Sequence, residues 1–577
     1  FHIKLKSKCC GQNLCFMEES SPSHVSPNPS HSYNSSDSDR TSNSERSRSS
    51  DPDRETKIYT FSEERGYNSN ESVNDIFEEV TSYNSNQPPP PRKRLKRTLI
   101  TVDQTLDLIS ALPDSVLLHI LSFLPTEYAV TTGTLSKRWQ YLWTSVPNLG
   151  FRHCGSWNEG IREFVSFVNQ TLLLYGCSNV RKFYIDFEYQ KCFESRVNCW
   201  VRFATRHNVE ELDLRFYGEE DMYPSDGEHY TLPQFIYTYA SLKMLNLRFC
   251  EVVPNGVINW RLLKNLSISY ARLSNDLVEK ILSGSPVLEC LELYRCGGIS
   301  RLDVKSASLK KLVINDYWDS WDLNDDVLLE ISGPNMESLG ILGFLYRKKC
   351  RVRNVSSLVE TTLNFRLFEF DSENDYEEYR SMLRAILQNL HHVKELTIGT
   401  WLIQVLSICK MKALPSPLSK CHYLKLDTYL NSWDLPGIAS LLHGSPDLET
   451  LVINMNSLDD TFGFDADFSS SYDFDGRKYW TSQKMNFRDS LLNLKTVKLV
   501  GFIAHHSVTD LLVPLLQILL KNASVLERMV IYPQKRNHSR GWMHGTEDFL
   551  KVGQSLLSFP RSSPHAEIIF SDIQDSY

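Results

Sequence analysis

The chain reads as an α/β protein. A small all-helical module is followed by an irregular solenoid, a parallel sheet with helices behind it, and a polar tail precedes both. Three observations predict this. The segment around residue 112 has helical apolar periodicity and more apolar surface than a few short helices can bury among themselves. Beyond residue 150, pairs of apolar residues two positions apart recur about a dozen times, with helical patterns between them. The first hundred or so residues carry neither period and few large apolar groups.

Residues 1–105 are read as a low-complexity tail. From Met17 to about residue 87, Ser, Asn, Asp, Glu and Pro dominate, so too little surface can be buried to offset the entropy of ordering and disorder is expected. The first methionine is Met17, and residues 1–16 are read as an over-extension ahead of it. Pro88 to Pro91 form a short stiff piece. Arg92, Lys93, Arg94, Lys96 and Arg97 then place five cations in six positions. Two readings of this run stand: a nuclear localisation signal, or a solvated basic linker beside an acidic tail. The expected location is therefore nucleus, cytoplasm or both.

Residues 106–152 form the helical module. Pro113 suits a first helical turn, where a missing N–H costs nothing, and Asp114 and Ser115 favour the positive helix N-terminus. Leu117, Ile120, Leu121 and Leu124 recur on one helical face, which Pro125 ends. A second helical stretch is expected with Leu135, Trp139, Leu142 and Trp143 on one side and Lys137 and Arg138 on the other. The opening Leu112-Pro113-Asp114 and the ending Leu135-Ser136-Lys137-Arg138-Trp139 with Leu142-Trp143 resemble the F-box, in the form that plants often use. Gly133 departs from the family pattern, and in mid-helix it would cost roughly 0.5–1 kcal/mol relative to Ala.

Residues 153–456 carry the repeat: an apolar residue, two others, Leu, any residue, then Leu or Ile. Strong copies end at Leu212-Asp213-Leu214, Leu245-Asn246-Leu247, Leu266-Ser267-Ile268, Leu291-Glu292-Leu293, Leu312-Val313-Ile314 and Leu339-Gly340-Ile341. Three more end at Leu396-Thr397-Ile398, Leu424-Lys425-Leu426 and Leu451-Val452-Ile453. Phe183-Tyr184-Ile185, Val497-Lys498-Leu499 and Met529-Val530-Ile531 are weaker. The irregular period, mostly in the twenties to low thirties, suits leucine-rich repeats. Residues two apart share a strand face, which only stacked copies can bury.

Helices are expected at Leu277, Ile281 and Leu282, at Ile438, Leu441 and Leu442, and at Leu515, Ile518 and Leu519. Gly284-Ser285-Pro286 and Gly444-Ser445-Pro446 repeat one another, and Asn522-Ala523-Ser524 is a degenerate third copy; Gly or Asn there is expected to form a left-handed C-cap. Residues 457–490, rich in Asp, Phe, Ser and Tyr, break the pattern as a loop or insertion. Residues 491–577 resemble the FBD-type domain that often follows the repeats in plant F-box proteins. The likeness rests on Leu494-Lys495-Thr496-Val497, on Leu519 to Ala523 with Leu526-Glu527-Arg528-Met529, and on Phe559-Pro560-Arg561.

Composition narrows the function. A net charge of −8 argues against general nucleic-acid binding, and no apolar stretch is long enough to span a membrane. The thirteen Cys contain no CxxC pair and are read as reduced, mostly buried small hydrophobes. No phosphate loop, HExxH or GxSxG occurs. His391-His392, His505-His506 and the Asp-rich run from Asp459 to Asp475 lack metal-ligand spacing. No cofactor, metal or catalytic residue is expected.

The resemblance implies a substrate receptor of an Skp–cullin–F-box ubiquitin ligase, with no enzymatic chemistry of its own. Its partners would be the Skp-type adaptor, through it a cullin and a RING protein, and an unknown target. Adaptor contacts are expected among Leu112, Pro113, Ile120, Leu121, Leu124, Leu135, Trp139 and Trp143, some of which must instead form the module's own core. Target contacts are expected on the other strand face, at Asn246, Arg248, Glu292, Tyr294, Asn315, Lys425 and Asp427. The alternative is a repeat scaffold that binds a partner without ubiquitination.

Overall fold

The computed structural model describes residue 109 and residues 112–153, 160–176, 179–217, 229–317, 328–345, 349–367, 375–409, 418–456, 479–480, 487–502, 506–534 and 546–571. Arg92, Lys93, Arg94, Lys96 and Arg97, the rest of the tail, and nearly all of 457–486 lie outside them.

The helical module begins with α1 (Asp114–Leu121) and α2 (Thr126–Thr131), each entered through a proline. The expected second long helix does not form. Its place is taken by two 3₁₀ segments, Thr132–Thr134 and Trp139–Ser145. Leu135 lies between the two 3₁₀ segments and is 67% exposed, whereas Trp139 and Trp143 are buried. Gly133 sits in the first of these turns, where an added Cβ would lie 3.1 Å from the carbonyl oxygen of Gln140. Glycine here permits the close approach of the Gln140 carbonyl, and any Cβ would need that carbonyl to shift by a few tenths of an ångström. Gly133→Ala is therefore expected to destabilise the module by about 1 kcal/mol, the reverse of the gain a mid-helix glycine would give. A thermal melt that rose with Gly133→Ala would refute this.

Among the described residues, fifteen strands form one sheet whose spatial order follows the chain, each parallel to its neighbours. Each of the twelve apolar pairs read from the repeat lies on one of these strands, at no more than 3% exposure. Burying one such leucine contributes roughly 1.5–3 kcal/mol. Three strands carry no expected copy: Asn148–Arg152, Glu360–Leu367 and Glu567–Phe570. The first of them, inside the segment expected for the helical module, opens the sheet by pairing with Lys182–Glu188. Thr496–Phe502, Arg528–Pro533 and Glu567–Phe570 continue the same ladder through the C-terminal segment.

Behind the sheet lie α3 (Ile161–Leu174), α4 (Glu194–Arg206), α5 (Asn275–Gly284), α6 (Asp375–Asn389), α7 (Thr400–Cys409) and α8 (Asp434–Gly444), then helices His506–Asn522 and Thr546–Ser558. Ser274 caps α5 by accepting from Leu277 N. Three turns of the solenoid carry a strand behind the sheet in place of a helix. Arg301–Asp303, Leu328–Ser332 and Lys349–Arg353 form their own parallel sheet.

The expected left-handed C-caps are absent. Neither Gly284, Gly444 nor Asn522 has positive φ, and after the two glycines the chain leaves the helix through Ser285 (φ −125°) and Ser445 (φ −124°), both fully buried. Gly284 is needed because a Cβ would collide with the carbonyl oxygen of Ile258. Its own carbonyl accepts from Trp260 N at 2.8 Å, and that of Gly444 accepts from Leu418 N at 3.3 Å. The repeated Gly-Ser-Pro thus seats each helix end on the preceding turn of the chain.

The module closes the open edge of the sheet. Thr126 Oγ1 receives Gly150 N–H at 2.8 Å, Val146 O accepts from Tyr175 OH at 2.8 Å, and Pro147 O accepts from Arg181 N at 2.7 Å. An unpaired edge amide would otherwise invite association with another strand.

Candidate functional site

Two surfaces bear on function, and α1 builds the first. Leu117 and Leu121, one turn apart, are fully buried with Ala129, Trp139, Trp143 and Val146 in a core belonging to the module alone. Leu112 packs against that core from its edge. The adjacent stripe of α1 and the turn after it remain uncovered: Val116 and Ile120 are 40% exposed, Leu124 is 40% and Phe123 is 74%. Tyr128, Leu135 and Tyr141 are each more than half exposed nearby in the chain. A helix apolar on two sides is the mark of a second partner.

The eight residues expected to contact the adaptor therefore divide. Leu121, Trp139 and Trp143 hold the module's own core, because their areas are taken by one another and by Leu117. Ile120, Leu124 and Leu135 are available outside, with Pro113 at the mouth of α1. The sequence reading omitted Val116, Phe123, Tyr128 and Tyr141. The signal for the first two was present: they fall at helical spacing from Ile120, beside the Leu117–Leu121 stripe and not on it.

Arg138 joins the two halves of the signature. Its guanidinium donates to the Asp114 carboxylate, Nε at 3.1 Å and Nη2 at 2.6 Å, and Nη2 reaches Leu112 O at 2.5 Å. The Leu-Pro-Asp opening and the Lys-Arg-Trp ending are thus one clamp, which explains why they occur together.

The second surface is the sheet face opposite the buried leucines. Asn246, Glu292 and Lys425 stand in one register row, which runs Asn246–Ser267–Glu292–Val313–Gly340–Thr362–Thr397–Lys425. Arg248, Tyr294 and Asn315 stand in the next row, Arg248–Ser269–Tyr294–Asn315–Leu342–Asn364, and Asp427 stands on its far side, paired with Gly399. The side-chain–free position Gly340 leaves a depression of about 480 Å³. Glu292, Tyr294 and Asn315 line it with Lys311, Val313 and Glu360, of which the last three were not foreseen. Glu292 is paired with Lys311 at 3.3 Å, both about half exposed.

Asp427 is unlike the other six. It is 8% exposed, accepts from Asn454 Nδ2 at 2.7 Å and faces Lys425 Nζ at 3.2 Å. Its carboxylate is spent inside the protein, and Lys425 is partly so. Beyond them the face becomes apolar, with Val452, Val500, Val530 and Tyr532 buried as a separate cluster.

His391 Nδ1 lies 2.9 Å from Gln388 O and His392 Nε2 lies 2.9 Å from Val355 O. Among the described residues no three His, Cys, Asp or Glu side chains gather as a metal site would require, and no helix is long and apolar enough to cross a membrane.

Of the cysteines described, Cys250, Cys296, Cys350 and Cys421 are buried; Cys192 and Cys199 are exposed. Burial pushes the Cys296 and Cys350 thiols up to about 12, so both stay protonated and unreactive near neutrality. Iodoacetamide at pH near 8 is expected to label Cys192 and Cys199 in the folded chain and Cys296 and Cys350 only after denaturation, as read by peptide mass spectrometry. Native labelling of Cys296 would contradict this packing.

Comparison with known proteins decides the family. A model described as the At1g61320/AtMIF1 LRR domain matches residues 175–557, and the F-box domain model matches residues 109–149. The chain belongs to the F-box/leucine-rich-repeat family. It is 31% identical over 430 residues to F-box/LRR-repeat protein At5g02910 of Arabidopsis thaliana, covering 74% of this chain and 88% of the relative. F-box/LRR-repeat protein At3g03360 of the same plant is 27% identical over 480 residues, covering 81% of this chain and 91% of the relative. The F-box match coincides with the helical module, and the LRR match takes in strands Thr496–Phe502 and Arg528–Pro533 and ends at residue 557, before Glu567–Phe570.

Proposed function

We propose that this F-box/leucine-rich-repeat protein is the substrate-recognition subunit of an Skp–cullin–F-box ubiquitin ligase. The observation that carries the reading is the second apolar stripe, Val116 and Ile120 of α1 with Phe123 and Leu124 of the turn after it, left uncovered beside a stripe that is fully buried. The Skp-type adaptor covers that stripe and ties the chain to the cullin and its RING protein. The open face of the repeats holds the target. The chain acts by proximity: it places a target lysine near the charged conjugating enzyme, so no side chain of its own performs chemistry. The likeness of residues 491–577 to the FBD type belongs to the same proposal, as the C-terminal part of the target-reading solenoid.

The test is co-purification from plant cells. Recovery of adaptor and cullin together supports the reading. Adaptor without cullin supports a scaffold that binds without ubiquitination, and loss of both overturns the docking surface.

A further inference from the structure

Strand Ser338–Leu345 carries a glycine that the fold does not require. Gly340 has negative φ, and an added Cβ would rest 3.5 Å from the Val313 methyl groups, an ordinary contact. Gly399, two strands on, is the contrast: a Cβ there would run into the Asn364 side chain. A glycine inside a strand weakens it and, where packing does not demand it, marks close approach from outside.

The depression over Gly340 crosses five strands, from Ser267 to Thr362, about 19 Å at the usual strand spacing. An extended segment of about six residues has that length. Val313, Gly340 and Leu342 line it with apolar surface. Ser267, Asn315 and Thr362 line it as well, and their side chains have no hydrogen-bond partner among the described residues.

Two acids stand side by side at the Thr362 end. One register row of the open face runs Lys311–Ser338–Glu360–Glu395–Tyr423. Glu360 and Glu395 are both exposed, and like charges on adjacent strands repel. Neither has an ion-pair partner among the described residues, and Glu360 accepts only from Ser338 Oγ, at 3.3 Å. The nearby cations do not neutralise them: Lys311 is held by Glu292 at 3.3 Å, Lys425 by Asp427 at 3.2 Å, and Lys394 pairs with neither acid. Burial, then the Glu395, Asp427 and Glu360 carboxylates, push the Tyr423 phenol above its ordinary pKa, so the excess negative charge is felt at the next strand.

We propose that the depression receives a lysine or arginine from an extended segment of the target, its stem lying over Gly340 and its cationic head set between Glu360 and Glu395. Glu360 lies one strand across from Gly340 and two residues along, about 8 Å, within reach of such a side chain. Ser267, Asn315 and Thr362 take main-chain groups of the same segment. The cation relieves the repulsion between the two carboxylates and makes charge-assisted hydrogen bonds with them. The inference rests on the reading that the open face holds the target.

The test pans the full chain, co-expressed with the adaptor and immobilised through an affinity tag, against displayed random dodecamer peptides. The expected pool is enriched in Lys and Arg, and a synthetic member binds about tenfold more weakly to Glu360→Gln/Glu395→Gln. That variant keeps or raises the thermal midpoint, because it removes two like charges, so binding is lost without stability. Gly340→Leu, which fills the depression at constant charge, weakens binding as far. Asp276→Asn/Glu279→Gln takes the same charge from α5, behind the sheet, and leaves binding unchanged. Norleucine in place of the inserted lysine or arginine reproduces the loss. No enrichment, a pool without basic excess, or equal binding by the folded carboxylate variant overturns the proposal. So does weakening by Gly340→Leu alone, which assigns the depression to an apolar side chain, or equal weakening by the α5 variant, which leaves only net charge. If Gly340→Leu lacks a thermal transition, the carboxylate and α5 variants decide by the same criteria. Adaptor recovery is scored in the same samples: its loss strikes at the ligase reading, whereas recovery without basic preference strikes only at the depression.

Discussion

Serine at Phe123 and Leu135 together abolishes capture of the Skp-type adaptor while changing the stability of the chain by no more than about 0.5 kcal/mol. Both side chains are largely exposed, at 74% and 67%, so their removal takes little from the fold. Large apolar anchors at an interface commonly cost about 2–4 kcal/mol each when truncated, which is ample to lose a complex in a pull-down. The contrast is with Leu121→Ala or Trp139→Ala. Those residues fill the module's core, and each truncation is expected to cost about 2–5 kcal/mol through the cavity it leaves. Adaptor loss in those variants would report unfolding and say nothing about contact. Co-expression pull-down paired with thermal melts separates the cases, and a folded Phe123→Ser/Leu135→Ser chain that still captures adaptor would remove this surface from consideration.

The second large effect lies in the repeats. Asp434, at the start of α8, is fully buried and accepts three hydrogen bonds: from Thr428 Oγ1 at 2.6 Å, Asn431 N at 2.8 Å and Gln404 Nε2 at 2.8 Å. It ties α7, α8 and the turn before α8 into one unit. Asp434→Ala strands three donors in the core and is expected to cost about 3–5 kcal/mol, measured by denaturant unfolding.

Its titration has a definite sign. Burial raises the Asp434 pKa above the ordinary 3.8, against the opposing pull of its three donors. The folded chain then holds the proton more tightly than the unfolded chain. Its contribution is complete below the unfolded pKa and declines as pH rises through the folded one. The stability advantage of the native chain over Asp434→Asn, which does not titrate, should therefore fall as pH rises from about 4. A difference that stays flat, or grows, from about pH 4 to 8 would show that the donors outweigh desolvation.

Much of the solenoid was legible because its stabilising unit is local. Leu291 and Leu293 announce a strand by their spacing, and the same spacing in register neighbours Leu266 and Ile268 announces that strands stack. The strands that escaped did so for identifiable reasons. In Glu360–Leu367 a buried threonine, Thr361, stands where the pattern wants leucine. Asn148–Arg152 lies so close to the Trp139–Ser145 segment that it reads as part of the helical module. The last strand, Glu567–Phe570, leaves Ile568 only partly buried and Phe570 exposed, so selection for two apolar residues on one face is weak there.

The candidate docking surface was only half legible. The apolar surplus near residue 112 could be counted, but a single helical face was assigned to what are two stripes, and a 3₁₀ segment was read as an α-helix. The break between the two 3₁₀ segments leaves Leu135 outside while Trp139 and Trp143 are buried. Gly133 was taken as a weak point because propensity treats glycine as a missing side chain; the close approach of the Gln140 carbonyl makes an added side chain there a tight fit.

By itself the sequence determined that the chain is a helical module followed by a parallel leucine-rich solenoid, since periods of 3.6 and 2 are written into consecutive residues. Only the tertiary structure decided which apolar residues are spent inside and which remain for a partner. It also decided that Arg138 clamps Asp114, that Asp427 is turned inward, and that Glu360 and Glu395 stand side by side. Each of these depends on residues distant in the chain being brought within a few ångströms of one another, which no local pattern encodes.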